Sequence, residues 1–486
     1  MLKTAFSFCA FYTSKYKGME DAKQFVTQLL KSNNIPIPAG RMNMLDAFVQ
    51  DEQNIAAINS IIQNQNGLMA KWKLEDRIAE IKQQPVRVLN ATVGKPYETK
   101  FDFDKLKWKD ITQFEWEGLE DAGLHYDEQT KQLTGTPTQS GDIKIKFKFK
   151  IEGQPEEAPF SEKIITLIIN PDPKSLWKNV ESDQNDPYRK EDNVTVFAPL
   201  GNRHILVSSK RGRSHANIGS FREDDFAFAN LENGWSIVVV ADGAGSAKLS
   251  RQGSAIACSN VIDYFKDNAA IESMNSFDGL LQEHIANAGA ETQKKLTHFV
   301  YNTLGKCALQ VHKKLQEFAN SAGVTLKDLS TTLIFTLFKK YDVGYAFLSF
   351  GVGDCPIAVL NKEVSEVILM NWLDVGEFGG GTRFITMPEI FKSEKFATRF
   401  SFKLLDDFAY LFMMTDGIYD PKFVVEANLP NIKKWKEFLA DLNGKNEEGI
   451  KVELKPDNEN IKEQFSQWMD FWSAGNHDDR TLAIVF

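Results

Sequence analysis

Four groups of carboxylates in the chain stand beside apolar runs that are typical of buried strands. They are Glu223-Asp224-Asp225, Asp242-Gly243, Asp416-Gly417 and Asp478-Asp479. A single Asp followed by Gly is more often a turn residue than a ligand, because its side chain bonds the local backbone. Four such groups favour a function, since ending a buried strand in a carboxylate is costly unless the charge meets a cation or a partner.

The chemistry that fits these groups is the binding of hard divalent cations. Carboxylates, backbone carbonyls and waters are the ligands that Mg²⁺ and Mn²⁺ prefer, and the glycines after Asp242 and Asp416 let a carbonyl approach a metal. Paired ions of this kind lower the pKa of a bound water and screen the charge of a phosphoryl group. Because the sequence offers no convincing Cys or His nucleophile, the pattern predicts metal-assisted hydrolysis of a phosphate ester.

Residues 190–486 must position these carboxylates, and their apolar pattern mixes strands with long helices. The predicted strands are 204–209, 224–231, 235–242, 330–338, 344–353, 355–360, 366–371, 396–402, 410–416 and 481–486, and the predicted helices are 246–266, 277–319, 432–442 and 459–474. Strand clusters separated by paired helices argue against a doubly wound parallel sheet. The pattern predicts an α+β fold in which two antiparallel sheets pack between helices.

The residues before 190 divide into three predicted segments. Apolar residues three and four apart predict a helical module at 1–85, which stops before Pro85. Short alternating runs bounded by Gly, Pro and Asp predict a small all-β domain at 86–174. Residues 175–189 contain Pro, Asp and Asn and are predicted to link that domain to the one at 190–486.

A row of lysines alternates along one predicted strand of the all-β domain. The row consists of Lys144, Lys146, Lys148 and Lys150. Side chains two residues apart in a strand share a face. The row is either a docking face for an acidic partner or a solvated row that protects a sheet edge, and we favour the second.

Composition and charge exclude several classes of protein. A chain of 486 residues exceeds the size at which one core keeps growing, which favours several domains. The formal net charge of -9 argues against a general nucleic-acid binder, because neutralising phosphates requires a basic surface. The cysteines, Cys9, Cys258, Cys307 and Cys355, form no CxxC pair and predict neither a zinc site nor a disulfide framework, as expected in a reducing cytosol.

Signals for secretion or for membrane insertion are weak in this sequence. Residues 1–18 contain a short apolar run that Thr and Ser interrupt, and no convincing cleavage site follows, so we do not expect a signal peptide. No later run reaches the ~18 to 20 apolar residues that a membrane-spanning helix needs. We therefore expect a cytoplasmic protein with no membrane partner.

Seven segments appear in the order of the type 2C (PPM) metal-dependent serine/threonine protein phosphatases, and most closely resemble the bacterial ones. They lie at 214–228, 238–254, 330–337, 348–360, 376–386, 411–420 and 477–486. The resemblance implies an αββα sandwich, two antiparallel sheets flanked by helix pairs, with a dinuclear Mg²⁺ or Mn²⁺ centre that activates water against phosphoserine and phosphothreonine in proteins. Bacterial relatives often work opposite a serine/threonine kinase, so a cognate kinase is an expected partner. Residues 86–174 resemble the Ig-like (cadherin-like) repeats of bacterial proteins.

The resemblance also implies a role for each carboxylate. Asp242 matches the carboxylate that bridges both metals, beside the Gly243 carbonyl, and Glu223 matches a ligand of one of them. Asp224 matches the acidic residue that supports this site. The remaining matches are Asp416 and Asp478, which complete the other metal site, Asp354, which joins a third and weaker metal in several bacterial members, and Asp479, an alternative ligand where the family usually has Asn.

Two departures from the family concern phosphate binding and proton transfer. Many members have a His two residues after the bridging Asp, where this chain has Ala244, and the phosphate-binding Arg of the family is replaced by Gly219. The candidates that could substitute for that Arg are Arg222, Arg213 and Arg211, each of which is also an ordinary surface residue. A guanidinium suits bidentate phosphate contact.

Histidines and glycines near the motifs leave further alternatives open. His215 and His477 could donate a proton to the leaving group or orient a loop; we favour the loop role for His215 and leave His477 open. The glycines at 379–381 match the flap of the family. A pseudophosphatase that binds phosphoproteins without turnover is the alternative function.

Overall fold

The structure is a computed structural model that describes residues 17–374 and 381–486. It divides into two compact units, Met1–Leu176 and Trp177–Phe486. The division falls inside the predicted linker 175–189. The predicted limits at 85, 174 and 189 stay predictions, and residues 1–16, where a signal peptide was considered, lie outside the described residues.

The first unit begins with three helices. They are α1 (Lys17–Ser32), α2 (Met42–Gln50) and α3 (Glu52–Gln83). Helices α2 and α3 are separate because Asp51 adopts an extended backbone and caps α3 by accepting from the N–H groups of Gln53 and Asn54. The end of α3 at Gln83, before Pro85, agrees with the sequence prediction.

The rest of the first unit is mainly β-structure around an aromatic core. Its elements are β1 (Ala91–Thr92), β2 (Tyr97–Lys100), α4 (Phe103–Leu106), β3 (Ile111–Glu117), β4 (Leu124–Asp127), β5 (Gln132–Gly135), β6 (Gly141–Ile151) and β7 (Ser161–Asn170). They form the sheets β1-β7-β6-β3 and β2-β5-β4. Trp108, Phe147 and Phe149 are fully buried between them, and β7 alternates buried and exposed residues as a sheet with one covered face should.

The lysine row of β6 is not a free basic face. Lys146 and Lys148 both pair with Glu117, at 2.6 and 2.7 Å. Lys150 is buried, and its Nζ donates to the carbonyl of Glu156 at 2.6 Å. These contacts support the structural interpretation of the row.

The second unit contains two antiparallel sheets. Its strands are β8 (Asn193–Leu200), β9 (Arg203–Lys210), β10 (Asp225–Asn230), β11 (Ser236–Ala241), β12 (Leu333–Tyr341), β13 (Gly344–Val352), β14 (Ile357–Asn361), β15 (Val367–Leu369), β16 (Phe400–Leu405), β17 (Phe408–Met414) and β18 (Arg480–Val485). One sheet has the order β10-β11-β12-β13-β16 and the other β15-β14-β17-β18-β9-β8. The ladders in both are antiparallel, as predicted.

Helices cover the sheets, and three apolar clusters hold the layers together. The helices are α5 (Arg213–Ile218), α6 (Ser250–Lys266), α7 (Asn268–Ala286), α8 (Ala290–Ala322), α9 (Asp416–Phe423), α10 (Ile432–Leu442) and α11 (Ile461–Trp468). One cluster joins the five-stranded sheet to α6, α7 and α8, and another joins the six-stranded sheet to α9, α10 and α11. The third joins residues of both sheets, including Val207, Val240 and Phe347. The unit is therefore a mixed α and β fold, as predicted.

Several elements differ from the sequence prediction, which also missed helices α5 and α9. Strand β8 was missed, because its residues are mostly half-buried and include Pro199. The predicted helix at 277–319 is two helices, α7 and α8, which are separated between Ala286 and Ala290. Strand β16 starts at Phe400 rather than 396, since a 3₁₀ helix occupies Glu394–Arg399. Among the described residues, no helix combines the length and the apolar character that crossing a membrane requires.

Candidate active site

The predicted carboxylates lie at strand ends that the two sheets bring together. Asp242 follows β11 and Asp416 follows β17, while Glu223-Asp224 precede β10 and Asp478-Asp479 precede β18. Their proximity shows in the electrostatics: burial raises the pKa of Asp242 well above its usual value, and the charges of neighbouring carboxylates raise it further. These neighbours are Asp224, Asp416, Asp478 and Asp354.

Asp242 is held by its backbone. Its N–H donates to Oγ1 of Thr332 at 2.9 Å, and its carbonyl accepts from the N–H of Thr332 and from Oγ1 of Thr331. A Cβ on Gly243 would lie 2.7 Å from the carbonyl oxygen of Glu223, so this close approach requires glycine. Gly243, which follows β11, therefore lies close to the backbone of Glu223, which precedes β10.

Glu223 and Asp416 also have a strongly raised pKa. Burial raises the pKa of Glu223 to about 7, with Asp479 and Asp478 adding to it while His215 opposes it. Burial and the charges of Asp478 and Asp354 raise the pKa of Asp416 to about 7. Crowding of this kind destabilises the charged forms unless a cation is present.

Asp224 and Asp479 are buried and make internal contacts. Oδ2 of Asp224 accepts from Oγ1 of Thr415 at 2.9 Å and of Thr481 at 2.8 Å, which braces the ends of β17 and β18. Asp479 accepts from the N–H of Gly212 at 2.6 Å through Oδ1 and from that of Glu223 at 2.5 Å through Oδ2. Both oxygens of Asp479 are thus engaged by backbone.

Asp478 and Asp354 are more exposed than Asp224 and Asp479. Asp478 is exposed, and its Oδ1 accepts from the N–H of Asp479 at 2.8 Å. Asp354 lies between β13 and β14, and its Oδ2 accepts from Oγ1 of Thr382 at 2.7 Å. Burial raises the pKa of Asp354, and Asp374 and Glu426 add to the shift.

The arginines predicted to grip phosphate have partners inside the protein. Arg222 is buried; its Nε donates to the Glu191 carbonyl at 3.1 Å and its Nη1 to Oγ of Ser209 at 2.6 Å. Arg213 is half-buried, and it donates to the carbonyls of Phe471 and Asp470. Arg211 is also buried and forms an ion pair of 2.9 Å with Asp192. Each of these three guanidinium groups therefore has partners in the protein, and Arg213 is the least buried of the three.

The two histidines have opposite environments. His215 Nδ1 lies 2.9 Å from Oδ1 of Asp479, an ion pair rather than a well-aligned hydrogen bond, and its Nε2 lies 3.9 Å from Oε2 of Glu223. Burial alone lowers the pKa of His215, but Asp479 and Glu223 outweigh it and raise the pKa to about 9. Burial and the nearby Arg213 and Arg480 lower the pKa of His477.

A family profile described as "Protein phosphatase 2C" matches residues 211–456, about half of the chain. The chain belongs to the protein phosphatase 2C family. It is a protein serine/threonine phosphatase. None of the curated proteins searched matches the chain.

Solved structures match this phosphatase 2C chain at low identity. A serine/threonine phosphatase from Staphylococcus aureus is 13% identical, with a TM-score of 0.35 over 61% of this chain and 98% of that chain. The catalytic domain of the phosphatase PstP, in complex with two manganese ions, is 13% identical with a TM-score of 0.34, over 60% and 98% of the two chains. RsbX in complex with magnesium is 14% identical with a TM-score of 0.32, again over 60% and 98%.

The residues of this phosphatase 2C chain fit divalent cations. Oε2 of Glu223 is buried and has no hydrogen-bond partner within the described part of the chain, which is the state of an oxygen that a cation would engage. One ligand atom from each of Asp242, Asp354 and Cys355 lies within 4.8 Å of the others, and the same holds for His215, Asp478 and Asp479. The donors are mostly carboxylate oxygens, as Mg²⁺ and Mn²⁺ prefer.

Sequence reasoning missed several residues of the site. Asp420 lies one helical turn after Asp416 on α9, where burial and Glu426 raise its pKa. The spacing of four residues would have indicated it, had a helix been predicted to start at Asp416. Cys355 was noted only as an isolated cysteine. Of the predicted flap glycines, those at 379 and 380 lie outside the described residues, and Gly381 has a φ of +63°.

Proposed function

We propose that this phosphatase 2C chain is metal-dependent and hydrolyses phosphoserine and phosphothreonine in proteins, with two Mg²⁺ or Mn²⁺ ions in an αββα sandwich. When bound, such ions lower the pKa of a water and screen the phosphoryl charge. The observation that carries the proposal is the convergence of carboxylates from both sheets on Asp242, beside a buried Oε2 of Glu223 that has no hydrogen-bond partner in the described part of the chain.

The residues that would hold the ions are those that match the metal ligands of the family. Asp242 would bridge both ions, with the Gly243 carbonyl and Glu223 on one side and Asp416 and Asp478 on the other. Asp354 would hold a third ion. Asp224 and Asp479 would brace these ligands, since their oxygens accept from hydroxyl and backbone donors.

Two further roles at the site are phosphate binding and proton transfer. Of the predicted arginines, Arg213 lies on α5 beside His215 and is less buried than Arg222, so we propose Arg213 as the phosphate contact. We propose His477, next to Asp478, as the proton donor. Its lowered pKa makes the charged imidazole a stronger acid. The pseudophosphatase alternative is not favoured, because the carboxylate set is complete.

The remaining sequence predictions stand as proposals about context. They are a phosphorylated protein as substrate, a serine/threonine kinase as opposing partner, a cytoplasmic location, and an Ig-like domain at 86–174 that spaces or binds. None of them is needed for the chemistry at Asp242.

The test is hydrolysis of an aryl phosphate and of a phosphothreonine peptide with Mn²⁺. We expect Asp242→Asn and Asp416→Asn each to lower kcat/KM by at least about a hundredfold, since each removes a charge that stabilises the transition state. Asp342→Asn is the matched control, because Asp342 is an exposed carboxylate in the turn between β12 and β13 and should leave activity unchanged. Full activity in the double variant of Asp242 and Asp416 would overturn the mechanism.

A further inference from the structure

The first residues of the second unit, 177–180, lie against helix α5, which carries His215. The N–H of Lys178 donates to Oδ1 of Asn217 at 3.1 Å, and the N–H of Val180 donates to the Ala216 carbonyl at 2.8 Å. We call residues 177–180 the entry segment. Its backbone is therefore attached to α5 at two points.

Arg211 fastens the entry segment from the other side. Its Nη2 donates to Oδ1 of Asn179 at 2.8 Å and to the Val180 carbonyl at 3.1 Å, while its Nη1 donates to the Ser220 carbonyl at 3.0 Å. Because Arg211 is 8% exposed, these bonds are shielded from water and cost free energy when one partner is removed.

The entry segment also occupies the space beside Gly219. A Cβ at this position would lie 3.0 Å from Cγ1 of Val180 and 3.1 Å from the carbonyl oxygen of Glu181, and the φ of Gly219 is +73°. Any larger residue here would be strained and would press on the entry segment. The chain therefore has the entry segment next to the position at which the sequence predicted a missing arginine.

Trp177 brings the entry segment to the loop that holds Asp478. Its ring centroid lies 4.3 Å from that of His477, and Trp472 lies 5.0 Å from the same imidazole. The His477 carbonyl accepts from the N–H and the Oγ of Ser214, at 3.0 and 2.8 Å. The ring and the backbone of His477 are thus both held, directly before Asp478.

We propose that the entry segment is a positioning element of the metal site, in which Trp177 fixes His477 and thereby the carboxylate of Asp478. The inference rests on the proposed function in that Asp478 is taken as a metal ligand. Trp177 precedes the matched residues 211–456, and Trp472 and His477 follow them.

The experiment measures the affinity of the full chain for Mn²⁺ by titration calorimetry, together with kcat and the Mn²⁺ concentration for half-maximal activity on an aryl phosphate. We expect Trp177→Ala to weaken Mn²⁺ binding about tenfold, the range found for residues that orient metal ligands, and to leave kcat at saturating Mn²⁺ within about twofold. Trp177→Phe should restore most of the affinity, because a ring remains. Leu176→Ala is the control, since Leu176 is 62% exposed.

An unchanged Mn²⁺ affinity in Trp177→Ala would overturn the proposal, as would a loss that Trp177→Phe does not reverse. If Trp177→Ala does not fold, Asn179→Ala removes only one bond to Arg211 and should still weaken Mn²⁺ binding, and an unchanged affinity there also counts against the proposal. Calorimetry separates the positioning role of Trp177 from the proposed function. Wild-type protein that binds Mn²⁺ without hydrolysis contradicts the proposed function, but the Mn²⁺ affinity of Trp177→Ala still tests the positioning role.

Discussion

At the residue scale, neighbouring carboxylates of the site have different tasks. Asp479 is buried with both oxygens accepting backbone N–H groups, whereas Asp478 is exposed beside it. Burial raises the pKa of Asp479, but His215 and these N–H groups outweigh it, so its pKa lies below the usual value. A buried carboxylate with satisfied oxygens stabilises the fold, and an exposed one is available to a ligand.

Replacing each of these two carboxylates separately should distinguish the tasks. We expect Asp479→Ala to lower the free energy of unfolding of the metal-free protein by about 2 to 4 kcal/mol, because two N–H groups lose a charged acceptor. Asp478→Ala should change it by less than about 0.5 kcal/mol and should weaken Mn²⁺ binding. Chemical denaturation and calorimetry measure both quantities, and the reverse assignment would place the ligand at Asp479.

At the element scale, α9 begins with the predicted ligand Asp416 and is followed directly by a strained residue. Val424 follows the helix with a φ of +71° and is 73% exposed. A β-branched side chain in this region of backbone space is unfavourable. The strain lies on an element of the site, which is where such conformations collect.

Replacing the strained residue with glycine should stabilise the protein. We expect Val424→Gly to raise the free energy of unfolding by about 1 kcal/mol, because glycine adopts positive φ without a steric penalty. Val425→Gly is the matched control. Val425 has an extended backbone with a φ of -146°, so this second substitution should lower the free energy of unfolding. Thermal denaturation of both variants tests this, and a loss of stability in Val424→Gly would show that the Val424 side chain makes a needed contact.

The elements also show what the sequence could predict. Strands such as β11 and β13 were found because they are mostly apolar, as strands buried on both faces are. Strand β8 lacks that signal, and the break between α7 and α8 depends on packing. The carboxylates were found because they end such strands, but the partners of Arg222 and Arg211 are groups such as the Glu191 carbonyl and Asn179, which no spacing along the chain reveals.

At the scale of the whole molecule, the site concentrates negative charge in a chain whose net charge is already -9. The raised pKa of Glu223 and of Asp416, both about 7, means that the folded, metal-free protein holds protons that the unfolded chain releases. This contribution to stability is complete below the unfolded pKa and is lost as the pH rises through about 7.

Stability of the metal-free protein should therefore depend on pH in a particular direction. We expect the free energy of unfolding of the second unit in a chelator to fall by on the order of 2 kcal/mol between pH 5 and pH 8. Saturating Mg²⁺ should reverse the trend, since metal binds the deprotonated carboxylates. The double variant Glu223→Gln and Asp416→Asn is the control and should show a smaller pH dependence, because both raised carboxyls are gone. A metal-free protein that gains stability over this range would contradict the pKa shifts.

The six-stranded sheet extends beyond the residues that match the family. Strands β8 and β9 lie before residue 211 and β18 lies after 456, so the stretch that matches the family omits three strands of one sheet. A truncation at 211 would also remove Trp177. A shortened chain that keeps all of these strands and the entry segment therefore has to begin at or before residue 177 and extend through β18.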